Sequence, residues 1–562
     1  MMPAGSTSGR SRPLVLAAMI VAVSMTFIDQ TIVSIAVPQI QRELHLSSTG
    51  TQWAVNAYLL ALAALFAFGG KLADTFGHRR LVTIGVLVFA GASTLCGLTP
   101  TGAIPETWIV AFRALQGAGG ALMFPAALAI VVQTFELRQR GRALALFFGV
   151  AGALTAIGPI AGGYLTEWTW RAIFWVNVPV ALVALVLVHI ARPETAHKRT
   201  SIDYRGLTLL ASGIALSIFG FQQSAIWGFG DPVIEVSIAV GLALLVAFYR
   251  FERRASSPLV TVGIFTIRPF FVENLVLLVA SLTFIPVFFF ASEYAQISLD
   301  QPARTASLVL LYFFIGYAAA AQIGGRMLDR IGAKRPVVLG CVLAGVGFWQ
   351  WGDKMPALSL HSQLGFIILA GAGMGLMIGQ ANTDAVNRAS RFAYGEATGI
   401  TQTVRSYAAG LGLAILGTIL VSELRSRLTS SLLGLGIPHA TAASEARQIA
   451  QFDGAASTAS IPHFVRLDYA TASRTVFLVM AAILAVAGVV AVIGLQRGRQ
   501  EASVDATARE PGRQLAQVGQ RVELRPAART ATAHAAGVMS PRTAARADDC
   551  PTDRPGSPRG AA

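Results

Sequence analysis

Three residues able to do chemistry stand inside otherwise apolar stretches of this chain: Asp29, Arg113 and Gln116. A carboxylate inside an apolar helix is costly to keep ionised, so Asp29 is suited to take up a proton and release it as its surroundings change. That is the chemistry of proton coupling. The alternative is a carboxylate that stays ionised and bonds only helix neighbours such as Thr31. Arg113, Gln116 and Gly117 share a helix face by i, i+3 and i+4 spacing, which sets a cation and an amide where another helix can come close. An arginine bonded only to backbone carbonyls fits that spacing as well. Glu273 and Arg405 are further charges in apolar stretches, with a place near a membrane surface as the simpler reading.

A second pattern occurs twice. Gly69-Gly-Lys-Leu-Ala-Asp-Thr-Phe-Gly-His-Arg-Arg80 and Gly324-Gly-Arg-Met-Leu-Asp-Arg-Ile-Gly-Ala-Lys-Arg335 align glycine on glycine and Asp74 on Asp329. A duplicated charged turn between apolar stretches predicts two related halves. The paired glycines, Gly70 among them, allow close helix approach. Asp74 at a helix end can meet a neighbouring helix N-terminus or a basic side chain and so latch one conformation. Gly77, Arg79 and Arg80 complete the first copy, and Asp329 is its counterpart in the second. A plain basic loop would explain the arginines but not the repeated Gly-Gly and Asp.

Composition demands elements that live in lipid. Of 562 residues 54% are hydrophobic and only 13% charged, and the mean hydropathy is +0.59. The net charge of +15 is spread between apolar stretches rather than along one face, which argues for topological anchoring and against nucleic acid. Cys96 and Cys341 lie in apolar segments and Cys550 near the end, so no disulfide framework, CxxC motif or metal site is expected. Gly70-Lys71 is followed by Leu72, so the nucleotide phosphate loop fails, and no cofactor is expected.

Spanning helices need about 20 apolar residues, and about fourteen candidates are present. The reading is an all-α integral membrane protein. Residues 1–13 form a cytoplasmic N-terminus, and 14–190 a six-helix bundle whose first span is retained rather than cleaved as a signal peptide. Residues 191–269 form a linker with an inserted helix pair, because the two charged turns follow the second and tenth spans. Residues 270–495 form a second six-helix bundle, with a long extracellular loop at 422–472 whose Leu424, Leu428 and Leu432 suggest a helix lying on the membrane. Residues 496–562 read as a disordered cytoplasmic tail. Arg10, Arg12, Arg79, Arg80, Arg138, Arg140, Arg142, Lys198, Arg199, Arg253, Arg254, Lys334, Arg335, Arg388 and Arg391 fall at alternate ends of the spans, which places both termini in the cytoplasm. Arg42, Arg171, Arg304 and Lys354 break that rule.

Taken together these segments resemble the major facilitator superfamily, in particular its fourteen-helix drug:proton antiporters. Phe27-Ile-Asp-Gln-Thr-Ile-Val-Ser-Ile-Ala-Val-Pro38 is similar to that group's first-helix signature, and Gly70 to Arg80 to the superfamily loop motif. Arg113-Ala-Leu-Gln-Gly-Ala-Gly119 resembles the fourth-helix motif, and Gly158-Pro-Ile-Ala-Gly-Gly163 the fifth-helix antiporter motif. Trp170-Arg-Ala-Ile-Phe-Trp-Val-Asn-Val-Pro179 and Asp203-Tyr-Arg-Gly206 resemble segments flanking the sixth helix. The resemblance implies two six-helix bundles plus two inserted helices. It also implies an interior arginine that assists protonation of the coupling acid, and exchange rather than leak from Gly158, Pro159, Gly162 and Gly163. The family pattern often has glycine where this chain has Leu154. Ala306 to Ile323 lacks the acid that some exporters of divalent cations carry, so a neutral or monocationic substrate is expected.

The expectation is a monomeric antiporter of the cell membrane that exports a hydrophobic or cationic small molecule in exchange for protons. Tyr58, Met123, Phe124, Phe284 and Phe288, with Gln116, are its candidate cavity residues. A proton-coupled importer of a nutrient is the runner-up, which the Gly-Pro motif opposes. A membrane enzyme or sensor would need a catalytic cluster or a soluble domain, and neither is legible.

Overall fold

In lipid the backbone has no partner but itself, which leaves helices as the natural form for these apolar runs. The computed structural model describes residues 11–102, 104–135, 137–193, 203–255, 258–389, 394–451, 461–496 and 498, and the regular structure among them is helical. Arg10, Lys198, Arg199, Arg391, Cys550 and the tail from residue 499 onward fall outside the described residues.

The first bundle is α1 (Ser11–Leu44), α2 (Ser48–Phe76), α3 (His78–Gly97), α4 (Pro105–Thr134), α5 (Leu137–Trp168) and a sixth rod made of α6 (Ala172–Trp175) and α7 (Asn177–Ala191). The pair α8 (Tyr204–Trp227) and α9 (Pro232–Glu252) follows. The second bundle is a rod of α10 (Arg268–Phe284) and α11 (Pro286–Ile297), then α12 (Ala303–Ile331), α13 (Lys334–Lys354), α14 (Leu364–Arg388), α15 (Tyr394–Gly434), a short α16 (His439–Gln451) and α17 (His463–Gly494). Twelve of the described stretches are long and apolar enough to cross a membrane by length and composition. Two further rods, α5 with 32 residues and α13 with 21, are of comparable length, and a count of fourteen crossings needs both. Side chains such as Leu182, Val183 and Ile190 on α7, and Val486, Val489 and Ile493 on α17, are exposed, an apolar surface that only lipid would cover.

The duplication is legible in backbone contacts. A Cβ on Gly117 would strike the Tyr58 carbonyl where α4 crosses α2, and one on Gly371 would strike the Phe313 carbonyl where α14 crosses α12. Likewise Gly119 lies against Gly85 between α4 and α3, and Gly373 against Gly340 between α14 and α13. The turns match too, since Gly77 and Gly332 take φ of 95° and 81°, a region that disfavours any side chain.

Prolines inside the helices explain several close contacts. Proline carries no N–H, so the carbonyl four residues earlier loses its helical partner. Pro125 releases the Ala121 carbonyl, which meets Gly69 of α2; Pro286 releases that of Leu282, which meets Gly412 of α15. Pro286 also marks the break between α10 and α11.

The inserted pair is not peripheral. On α8, Gln222 pairs its amide with Asn56 of α2 (2.5 Å), Ser217 meets the Tyr407 hydroxyl of α15 (3.1 Å), and the Phe221 carbonyl accepts from Thr418 (2.9 Å). So α8 bridges α2 and α15, one helix from each bundle.

One expectation is corrected. Residues 422–434 are not loop but the continuation of α15, and Leu424, Leu428 and Leu432 are buried against α16 and α17 rather than laid on a membrane surface. Residues 452–460 of that segment lie outside the described residues. The basic residues that broke the charge rule have partners: Arg171 bonds Glu43 and the Thr99 carbonyl (3.2 Å), Arg304 covers the Tyr164 ring at 4.7 Å, Arg42 bonds the Pro38 carbonyl (3.2 Å), and Lys354 lies 3.8 Å from Asp353.

Candidate functional site

Asp29 sits mid-way along α1 with no exposed surface, and Arg113 of α4 is 1% exposed. The Arg113 guanidinium donates through Nη1 to Asp29 Oδ2 at 2.5 Å and to Gln116 Oε1 at 2.7 Å. Gln116 closes the triangle by donating Nε2 to Asp29 Oδ1 at 2.8 Å. Helical spacing makes this possible, because Arg113 and Gln116 are one turn apart on the face of α4 that meets α1. The Nε arm of the guanidinium is held by the Ala54 carbonyl of α2 at 2.9 Å, and the Tyr58 ring lies 4.5 Å beneath the charge. The Asp29 carboxylate is thus bonded across helices to α4, while the Thr31 hydroxyl donates to the Ile28 and Thr155 carbonyls.

Two polar residues extend the network without having stood out in the sequence. Ser93 of α3 accepts from Gln116 Nε2 (3.3 Å) and from Asn177 of α7 (3.0 Å), and donates to the Phe174 carbonyl (2.8 Å). A single serine or asparagine in a helix carries no periodic signal. Five helices thus converge on one buried charge pair. Desolvation makes such a pair costly, and removing one partner strands the other.

The Gly-Pro segment of α5 packs on α1 directly beside Asp29. Pro159 releases the Thr155 carbonyl, and Thr31 Oγ1 donates to it at 2.9 Å. Gly158 lies against Thr31 and the Ile28 carbonyl, and Gly162 has the Ile32 carbonyl 3.0 Å from where a Cβ would stand. One residue on, Gly163 faces the second bundle, with Ser307 and Arg304 of α12 in contact. Gln296 of α11 also crosses to the Ile35 carbonyl of α1 at 2.9 Å. By helix direction these crossings lie at the end opposite the charged turns, so the two bundles meet there.

At the other end, Asp74 pairs with His78, the first residue of α3, at 3.2 Å. Asp74 is half exposed and His78 buried, while Arg79 is half-buried and Arg80 and Asp329 are exposed. A Cβ on Gly70 would stand in ordinary contact with Pro125, at 3.8 Å.

The proposed cavity residues are all buried but do not share one place. Tyr58 belongs to the Arg113 network. Met123 packs where α4 crosses α3, and Phe124 sits among Phe27, Phe66 and Phe147. Phe284 and Phe288 meet edge to face with ring centroids 5.1 Å apart in the second bundle, joined by Phe313, Phe314 and Tyr317. The buried Asp29–Arg113 pair thus belongs to the first bundle and the Phe284–Phe288 cluster to the second. Arg405 is half-buried and donates to Gln402 at 2.9 Å. Glu273, five residues from the start of α10, is 1% exposed. Among the described residues no group of three or more His, Cys, Asp or Glu could hold a metal ion.

Comparison with known proteins agrees with this architecture. A sequence profile described as Major Facilitator Superfamily matches residues 19–413. The tetracenomycin C resistance and export protein of Streptomyces glaucescens is 33% identical over 470 residues, 82% of this chain and 84% of that protein. The puromycin resistance protein of Streptomyces alboniger is 33% identical over 72% of this chain and 81% of that one. In three dimensions the chain resembles a bacterial homolog of the human lysosomal transporter Spinster, solved inward-facing and unoccupied, with a TM-score of 0.56 at 15% identity over 87% of this chain and 97% of that one. The multi-pass helical architecture, the profile and the antibiotic-export relatives converge: the chain belongs to the Major Facilitator Superfamily, within its drug-efflux family.

Proposed function

We propose that this protein exports a hydrophobic, neutral or monocationic small molecule across the cell membrane in exchange for protons. The observation that carries the reading is the buried Asp29–Arg113–Gln116 triangle, a carboxylate held between helices by one guanidinium and one amide. Protonation of Asp29 would remove its charge, loosen its hold on Arg113 and lower the cost of parting α1 from α4. The Thr31–Thr155 bond and Gly163 tie α1, through α5, to the seam with α12, so a change at Asp29 has a short mechanical route to the contact between bundles. Alternating access would then be a rocking of the bundles about a site between them. The Asp74–His78 turn serves as a latch on one of the two states, with Asp329 in the equivalent position of the second bundle.

The relatives named for tetracenomycin and puromycin support a drug or antibiotic as cargo. The aromatic cluster around Phe284 and Phe288 is chemically fit for such a molecule, since flat apolar rings bury well against phenyl groups. No cofactor is needed. A membrane potential supplies about 2.3 kcal/mol per charge per 100 mV, worth roughly a 50-fold gradient of a neutral solute for each proton. In this reading both termini lie in the cytoplasm, with the charged turns, and the protein acts as a monomer.

Accumulation of dyes and antibiotics in cells with and without the protein, with a protonophore added, tests the reading. Lower accumulation that the protonophore restores is expected. Export indifferent to the protonophore, or raised accumulation, would contradict it.

A further inference from the structure

The repeated turn supplies basic residues that the Asp74–His78 latch does not use, and both copies bring them to the same place. Aligning Gly69 with Gly324 pairs Arg79 with Lys334, Arg80 with Arg335 and Thr83 with Val338. In each bundle the helix after the turn meets the last helix of that bundle along an open groove. In the first, Arg79 and Thr83 of α3 face Val186 and His189 of α7 around about 420 Å³. In the second, α13 and α17 flank about 680 Å³ that begins at Val338. Exposure repeats as well, since Arg79 and Lys334 are half-buried while Arg80 and Arg335 are exposed.

The larger groove has the shape of a hydrocarbon chain. Val338, Val342, Gly345 and Trp349 share one face of α13 and look across to Ala485 and Gly488 of α17. Small residues open the trench: a Cβ on Gly488 would come 3.3 Å from that of Cys341, and one on Gly345 would rest in ordinary contact, 3.7 Å from the Ala481 carbonyl. Its floor, Cys341 and Leu484, is buried, whereas Val342, Trp349 and Val489 on its walls are more than half exposed. From Val338 to Trp349 it runs about 16 Å at 1.5 Å per residue, close to one leaflet of a hydrocarbon layer about 30 Å thick. Lys334 and Arg335 stand one turn before Val338 on the same face, at the mouth. Lys334 Nζ donates to the Val492 carbonyl at 2.5 Å, which leaves it two further N–H groups. Among the described residues no ion pair engages Arg335. Within 324–335 four basic residues stand against Asp329 alone.

We propose that an anionic phospholipid of the leaflet on the charged-turn side binds here, with one acyl chain in the groove between α13 and α17 and its phosphate on Lys334 and Arg335. Basic pockets between membrane helices hold anionic headgroups by this combination of charge and apolar cover. A neutral apolar molecule would fill the groove and leave two cations unanswered. A soluble anion would answer the cations and leave the groove open. A symmetric pair of chains joined along this face would set Lys334 and Arg335 against their own copies, so like charges oppose that occupant. The groove beside Arg79 is the smaller counterpart in the first bundle. The site stands whether or not transport is coupled to protons.

The test is native mass spectrometry of the purified full-length protein in detergent, titrated with phosphatidylglycerol or with phosphatidylcholine of the same acyl chains. The wild type should bind its tightest phosphatidylglycerol at least about tenfold better than phosphatidylcholine, as two basic residues near an anionic headgroup allow. Arg335→Gln should weaken phosphatidylglycerol alone, by about fivefold, and Arg335→Lys should keep it. Gly345→Leu, whose side chain projects into the groove, should weaken both lipids. Equal binding of the two lipids by the wild type, or tight phosphatidylglycerol binding unchanged in either Arg335→Gln or Gly345→Leu, overturns the proposal. Should Gly345→Leu not purify as a monodisperse protein, Arg335→Gln decides alone. A dimer that Gly345→Leu dissolves would give the groove to a second copy of the chain and overturn the proposal as well.

Discussion

Thr31 of α1 donates its hydroxyl to the Thr155 carbonyl of α5 at 2.9 Å, the oxygen that Pro159 leaves without a helical donor. Thr31 follows Asp29 closely on α1, and Gly163, the residue that touches α12, lies about two turns beyond Thr155 on α5. A sequence motif that looks like a helix breaker is, in the fold, a joint between the charged residue and the seam.

Thr31→Val keeps the shape and removes the donor. Leaving a buried carbonyl unsatisfied costs about 1–3 kcal/mol, so the variant should melt measurably lower in detergent and export more slowly. Thr31→Ser should restore both. Equal melting temperatures for wild type and Thr31→Val would mean the joint contributes nothing.

Arg113→Lys retains the charge but not the fork that reaches Ala54, Asp29 and Gln116 together. Export should fall at least about tenfold on the same account of fork geometry, while Arg113→Ala, which strands Asp29, should cost about 3–5 kcal/mol of stability. Export rates and thermal melts of the two variants, normalised to protein in the membrane, check this.

A Cβ built on Gly163 stands 3.0 Å from the Ser307 Cβ, so a small outward shift brings the two to the separation that a disulfide uses. Gly163→Cys with Ser307→Cys should cross-link under oxidation, hold the bundles together at that end and stop export. Reduction should restore it. Export that continues after complete cross-linking would show that the seam need not open.

Asp74 is half exposed although its partner His78 is buried, so solvent screens the pair and its contribution is about 0–1 kcal/mol. Asp74→Asn should therefore leave the melting temperature nearly unchanged yet slow export several-fold. A variant that exports normally would remove the latch from the mechanism.

How far the site could be read ahead depended on what each residue type signals. Asp29 and Arg113 stood out because an ionisable group in an apolar run is expensive and needs a reason. The repeated turn was legible because glycine and acid recur at fixed spacing, and the matched crossings at Gly117 and Gly371 follow from it. Ser93 and Asn177 were hidden, since short polar side chains are common in helices and their meeting depends on three-dimensional packing. Nothing in a sequence says which ring lies under a guanidinium, so the place of Tyr58 beneath Arg113 is not legible there. The course of α15 past Val421 was missed because its leucines show the same spacing whether they face lipid, water or α16 and α17.

The central claim is that Asp29 carries the coupled proton. Purified wild type and Asp29→Asn, reconstituted in proteoliposomes with a fluorescent substrate and an imposed pH gradient, give the most direct answer. The account predicts that the gradient drives substrate uphill in the wild type, and that Asp29→Asn retains binding but loses gradient-driven accumulation. Undiminished uphill transport by Asp29→Asn would contradict it.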